Sequence, residues 1–120
     1  MKVVKFTLLG EPSSKANSRK LVTIKGLPRF IKSQDALDYL TLVRCQCIPL
    51  PTLLTGELVF EAHIYYRTQR KDLDPSLILD ALQGLIYEND RQIREMHIFH
   101  FIDRENPRSE IKIWRRQKEF

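Results

Sequence analysis

Polar and apolar positions alternate along residues 2–9, Lys-Val-Val-Lys-Phe-Thr-Leu-Leu, which predicts a first strand closed by Gly10-Glu11-Pro12. Residues 13–20 lack apolar periodicity and read as an exposed basic loop. Residues 20–24 and 28–32 read as two short strands joined by Lys25-Gly26-Leu27-Pro28, a hairpin carrying Lys25, Arg29 and Lys32. Ser33 is a good N-cap, with Asp35 in the first turn where the helix dipole favours it. Ala36, Leu37, Leu40, Val43 and Cys47 then recur at helical spacing, predicting an amphipathic helix over 34–47 that Pro49 and Pro51 stop. In residues 57–66, Leu58, Phe60, Ala62, Ile64 and Tyr66 share one face and Glu61 and His63 the other, as in a half-buried strand. A second helix opens at Pro75 and runs to about Tyr87, with Leu77, Ile78, Ala81, Leu82 and Leu85 as its apolar stripe and Ser76, Asp80 and Gln83 as its polar one. Residues 93–102 and 109–115 read as strands, with Asn106-Pro107 at the turn between them. The order is strand, hairpin, helix, strand, helix, strand, strand. It predicts an α+β fold, a single mixed β-sheet with two main helices packed against it, built as one domain over residues 1–120.

Composition narrows the class. A chain of 120 residues with 42% hydrophobic and 29% charged residues has ordinary globular usage. No apolar run reaches the roughly 18–20 residues that cross a bilayer, and the N-terminus lacks a signal-peptide core, so a cytoplasmic protein without membrane contact is expected. Twenty Lys and Arg against 15 Asp and Glu leave a net charge of +5 and a pI near 9.4, a balance that attracts polyanions such as nucleic acid. Cys45 and Cys47 are too close in sequence for an unstrained disulfide and too few for a zinc site, and read as ordinary helix residues.

The candidate chemistry lies in Arg67-Thr68-Gln69-Arg70-Lys71-Asp72-Leu73-Asp74-Pro75, between the long strand and the second helix. Residues two apart in extended backbone point the same way, so Asp72 and Asp74 can converge. Converging carboxylates repel unless a cation lies between them, and Mg²⁺ suits such hard oxygen ligands. Arg67, Arg70 and Lys71 would hold a phosphate backbone against it. On these residues alone, Asp74 reads equally as an N-cap of the helix and Asp72 as a solvated loop residue. Asp90, in Tyr87-Glu88-Asn89-Asp90-Arg91-Gln92-Ile93, can approach Asp74 only if the strand it leads into pairs beside residues 57–66.

Lys71-Asp72-Leu73-Asp74, a helix containing Leu79-Asp80-Ala81-Leu82, and then Asn89-Asp90-Arg91-Gln92-Ile93-Arg94-Glu95-Met96-His97 together resemble RusA-type crossover junction endodeoxyribonucleases, the Holliday-junction resolvases common in phages and prophages. Gly10–Arg19, and Ile31-Lys32-Ser33 leading into a helix, resemble the N-terminal region of the same family. The resemblance implies a homodimer that resolves DNA four-way junctions by Mg²⁺-dependent phosphodiester hydrolysis, with Mn²⁺ as a substitute and no organic cofactor. It implies action in recombination and repair, in the cytoplasm of a bacterial or phage-infected cell. The family's three metal-binding aspartates fall on Asp72, Asp74 and Asp90. The acidic turn, often Asp-Asp, is Asn89-Asp90 here. A lysine that family members often carry four residues after the second aspartate is replaced by Ile78. Lys71 or a loop residue such as Lys15 takes that role, or this branch works without it.

Lys15, Asn17 and Arg19 join Arg67, Arg70 and Lys71 as expected DNA contacts, and Glu95 is a candidate to orient the site from behind the metal ligands. Asp80, about 9 Å down the helix from Asp74, is expected to be a solvated or hydrogen-bonded helix carboxylate. His97 and His100 lie three apart on a strand and point to opposite faces, which disfavours a metal set with Asp103. His63 is expected on the solvent face, and Phe99, Phe101 and Trp114 in the core. Two other readings stand beside the nuclease: a nucleic-acid-binding module without catalysis, and a different metal nuclease centred on Glu110 and Lys112 of Glu110-Ile111-Lys112.

Overall fold

The computed structural model describes residues 3–13, 19–69 and 72–117. Lys15, Asn17, Arg70 and Lys71 therefore lie outside the described residues. The elements are β1 (Val3–Leu9), β2 (Arg19–Ile24), β3 (Leu27–Lys32), α1 (Gln34–Gln46), β4 (Leu58–Tyr66), α2 (Ser76–Leu82), β5 (Ile93–Ile102) and β6 (Arg108–Arg115). Four strands form one mixed sheet in the order β1-β6-β4-β5, and β2 and β3 form a separate hairpin. β6 runs antiparallel to both β1 and β4, whereas β5 pairs with β4 in parallel, Phe60 opposite Met96 and Tyr66 opposite Ile102. The fold is α+β, as the element order predicts.

Both helices pack on the same face of the sheet. Ala36, Tyr39, Leu40 and Val43 of α1 and Leu77, Ile78, Ala81 and Leu82 of α2 are buried against Leu58, Phe60, Ala62, Ile64 and Tyr66 of β4 and Ile111 and Ile113 of β6. Ser33 caps α1 through its Oγ, which accepts from the Ala36 N–H at 3.2 Å. Leu37, placed by periodicity in the buried stripe of α1, is 44% exposed, and Tyr39 fills the core instead. The helix meets the sheet on a face rotated toward Tyr39, whose ring supplies more apolar area than the leucine.

The opposite face of the sheet has no helix over it among the described residues, and this corrects the aromatic assignment. Phe99 and Phe101 are 44% and 41% exposed, and Trp114 is half-buried on that same face. Their alternation with core-facing neighbours is that of a strand, but the face they occupy is the open one. They cover each other there. The His63 ring stacks on Phe99 at 4.8 Å and on Phe101 at 5.8 Å, and Tyr65 stacks on Phe101 at 5.1 Å while Arg108 lies over its ring. His63 lies on this open face, as its strand position predicts, and its ring neighbours leave it half-buried.

The second correction is the length of α2. The helix starts at Ser76, with Pro75 just outside it, and ends at Leu82 rather than near Tyr87. Gly84 takes φ +82°, a left-handed conformation that side chains resist, and turns the chain back on the helix. The Leu85 and Ile86 amides still reach the Leu82 carbonyl, and the buried Tyr87 hydroxyl donates to the Leu79 carbonyl at 2.6 Å. Seven helical residues advance only about 10 Å, so the turn after α2 returns to the flank of its own helix. Gly84→Ala should lower stability by about 1 kcal/mol through the strained φ alone, since nothing lies near the added methyl. A urea midpoint equal to the parent's would contradict that.

Candidate active-site cleft

Tyr66 ends β4, and its hydroxyl is the point around which the following loop closes. It accepts a hydrogen bond from the Asp74 N–H at 3.3 Å. Burial raises the Tyr66 pKa, and the charges of Asp74, Glu11 and Asp72 raise it further. Glu11 also accepts from the Arg67 N–H at 3.0 Å. That contact spans 56 residues, and in the sequence Glu11 reads only as part of a turn.

Asp74 does two things at once. Its Oδ1 accepts from the Ser76 N–H at 3.0 Å and from the Ser76 hydroxyl, a local turn that leads into α2, whose N-cap position is Pro75 rather than Asp74. Its Oδ2 is buried and has no hydrogen-bond partner among the described residues. A buried carboxylate oxygen left unpaired is costly, and it is the kind of atom that a cation satisfies. Asp72 is exposed.

Asp90 arrives from the other end of α2. Asn89, Asp90, Arg91 and Gln92 form a capped single turn of 3-10 helix: Asn89 Oδ1 accepts from the Arg91 N–H, and Gln92 Oε1 accepts from the Asn89 N–H. The Asn89 side chain is thus committed to capping. Gln92 also donates to the Leu54 and Gly56 carbonyls, anchoring the turn to the loop before β4. Gln83 joins the two acidic groups of this end: its amide N–H donates to Asp80 Oδ1 at 3.1 Å, and its Oε1 accepts from the Asp90 N–H at 3.2 Å. Burial raises the Tyr87 pKa, and the Asp90 and Asp80 charges add to it, so a second phenol marks this second acidic neighbourhood.

A cleft of about 510 Å³ runs between α2 and the β2–β3 hairpin, lined by Arg19, Phe30, Lys32, Ser76, Asp80 and Asp90 among others. Asp74 is one step from it through Ser76. Lys32 Nζ crosses the cleft to Asp80 Oδ2 at 3.2 Å. Asp80 is thus a hydrogen-bonded helix carboxylate as expected, yet it also shares the cleft with Asp90. Asp72, Asp74 and Asp90 do not converge: no group of three His, Cys, Asp or Glu side chains at metal-holding distances occurs among the described residues. In a parallel β4–β5 pair, the loop after β4 and the turn before β5 belong to opposite ends of the sheet, and the length of α2 separates them.

The remaining candidates are occupied elsewhere. Glu95 lies 2.7 Å from His97 Nε2 and 3.4 Å from Arg116 Nε. His100 stacks on Tyr66 at 4.7 Å, while Asp103 is held by Arg108 at 2.8 Å, a bond that lowers its pKa. Glu110 takes Arg108 Nε at 3.0 Å and Lys112 takes Glu61 at 3.7 Å. Their alternation with buried Ile111 and Ile113 puts them on the open face of the sheet, away from the cleft.

A cleft in which Asp80 and Asp90 face Arg19 and Lys32 of the hairpin, on a mixed sheet with a parallel β4–α2–β5 crossover, defines the class as an α+β domain. The sequence profile of the family described as Endodeoxyribonuclease RusA matches residues 10–114. The chain belongs to that family, whose members are endonucleases that resolve Holliday junctions. No curated protein matches the chain. None of the described helices is long and apolar enough to cross a membrane.

Proposed function

We propose that the protein resolves DNA four-way junctions by divalent-metal-dependent hydrolysis of paired phosphodiesters, with Asp72, Asp74 and Asp90 as the catalytic and metal-holding residues. The observation that carries this reading is the buried Asp74 Oδ2, without a hydrogen-bond partner among the described residues, on a carboxylate bound to the cleft-lining Ser76. All-oxygen donors fit Mg²⁺, with Mn²⁺ as a substitute. When bound, such an ion polarises the phosphate and lowers the pKa of an attacking water. One or two ions would be held, by Asp74 and Asp72 at the β4 end of α2 and by Asp90 at its far end. Ser76 fixes the Asp74 carboxylate through Oδ1, leaving Oδ2 as its free ligand atom. Arg19 and Lys32 on the hairpin, with Arg67, would hold the backbone by contacts indifferent to sequence, and Lys15, Asn17, Arg70 and Lys71 are proposed to extend that surface. Glu95 faces His97 and Arg116, so any orienting role it has runs through them.

The experiment is cleavage of a synthetic four-way junction and of a linear duplex by the purified protein, with Mg²⁺ or with EDTA. Junction cutting with Mg²⁺ alone supports the reading, and binding without cutting under both conditions would favour the non-catalytic module. Action in recombination and repair, in the cytoplasm of a bacterial or phage-infected cell, follows from the same proposal.

The quaternary proposal is a homodimer. Resolution needs two symmetric incisions, and a two-fold dimer offers one carboxylate set to each strand. Sedimentation should give twice the 14.2 kDa chain mass at micromolar concentration. A monomer both with and without junction DNA would sink this.

A further inference from the structure

The fourteen residues from Arg19 to Lys32 contain Arg19, Lys20, Lys25, Arg29 and Lys32 and no carboxylate. Those five cations equal the net charge of the whole chain, +5, so the rest of the chain is balanced. The charge asymmetry of this protein is the hairpin. It is also the least covered element of the fold. Every residue of β2 and β3 is exposed except Val22, which is half-buried, and Phe30 is 73% exposed, the most exposed aromatic side chain among the described residues. A two-residue turn with φ +52° at Lys25 and +78° at Gly26 closes it, so its register is firm.

That register fixes what faces the cleft. Arg19 lies opposite Lys32 and Leu21 opposite Phe30, so these four side chains share one face. Two cations directly opposite each other repel. Lys32 is relieved by Asp80, while Arg19 has no ion-pair partner among the described residues. Arg19, Lys32 and Phe30 all line the cleft that holds Asp90. The step from the Arg19–Lys32 pair to Phe30 is two residues, roughly 7 Å along a strand. A phosphate seated between the two cations would thus have its own base within reach of the Phe30 ring.

We propose that the β2–β3 hairpin is a DNA-engaging arm in which Arg19 and Lys32 hold a backbone phosphate and Phe30 stacks on a base exposed at the branch point. This rests on the junction-cleaving reading above and adds the feature of the substrate that the cleft detects. A ring can lie on a base only where a face of that base is open, which a branch point offers and a continuous duplex does not. Charge decides the occupant. A second copy of the hairpin would bring five like charges against five, whereas DNA is the complementary polyanion.

The test uses the full chain in EDTA, so that binding is read without cleavage. The probes are a four-way junction carrying 2-aminopurine at the branch point and a linear duplex of the same arm sequence. Phe30→Ala should weaken junction binding about tenfold, leave duplex affinity within roughly twofold, and abolish the change in 2-aminopurine fluorescence that the parent produces. Phe30→Trp should restore both readouts. Parental junction affinity and fluorescence in Phe30→Ala would overturn the proposal. So would an equal loss on junction and duplex, or conversion of a dimeric parent to a monomer, which would make the hairpin a contact between copies. A parent that binds neither DNA overturns the junction-cleaving reading itself. A parent that binds and cuts junctions but is indifferent to Phe30 overturns the stacking assignment alone.

Discussion

Asp74→Asn should cut four-way junctions on the order of 100- to 1000-fold more slowly than the parent while binding them at least as tightly in EDTA. The substitution separates the two jobs of this carboxylate. Asparagine keeps an Oδ1 that accepts from Ser76, so the turn leading into α2 keeps its hydrogen bond and the fold survives. It replaces Oδ2, the buried oxygen without a partner, by an amide that cannot ligate a cation. Removing one negative charge beside the cleft also favours a polyanion, so binding should not fall. Asp72→Asn and Asp90→Asn should behave alike, by single-turnover cleavage and by anisotropy. Near-parental cleavage by all three would remove the site. Loss of cleavage in Glu110→Gln alone would move the chemistry to the open face of the sheet.

The second large effect is on stability. Ile78→Lys restores the residue type that related endonucleases often carry at this position, yet it should destabilise the protein by about 3–5 kcal/mol at neutral pH without raising activity. Ile78 is fully buried on the core face of α2 with Leu77, Ala81 and Leu82. A lysine there would enter the core without a partner. Burial disfavours its charged form, so its pKa in the folded state falls below that in the unfolded chain. The penalty is then complete below the folded pKa and shrinks as pH rises toward the unfolded value near 10. Urea unfolding at pH 7 and pH 10 reads this directly. A variant as stable as its parent at pH 7 and faster in cleavage would show that residue 78 faces the cleft.

Ile78 also shows how far a linear motif reaches. The absent lysine raised the question of what replaces it, with Lys71 and Lys15 as the sequence neighbours to consider. Both lie outside the described residues, while the cleft holds Lys32, from a strand more than forty residues before Asp74. Lys32 was legible as a hairpin cation but not as a partner of Asp80, because that pairing depends on how the hairpin sits over α2. Asp80 itself was separated from Asp74 by a helix length, correctly. Its nearness to Asp90 needed the chain reversal at Gly84 and the Gln83 bridge.

The local physics of this chain was written in its residues. Period-two alternation marked the sheet strands, Ser33 marked the start of α1, and Lys25-Gly26 closed the hairpin, because each depends on neighbours within a few positions. The resemblance carried by Lys71-Asp72-Leu73-Asp74 and Asn89-Asp90-Arg91-Gln92 pointed to the family that the profile match shows. What only tertiary structure decided is which face each alternation presents and what meets across the cleft. Phe99 and Phe101 have the hydrophobicity of core residues, but both helices cover the other side of the sheet, so their rings lie open beside His63 and Tyr65. Glu11 reaches the Arg67 N–H across more than fifty residues, and Asp90 stands off from Asp72 and Asp74 because a parallel crossover puts its turn at the far end of α2. Periodicity tells a side chain from its neighbour's direction; only the packing of elements separates inside from outside and near from far.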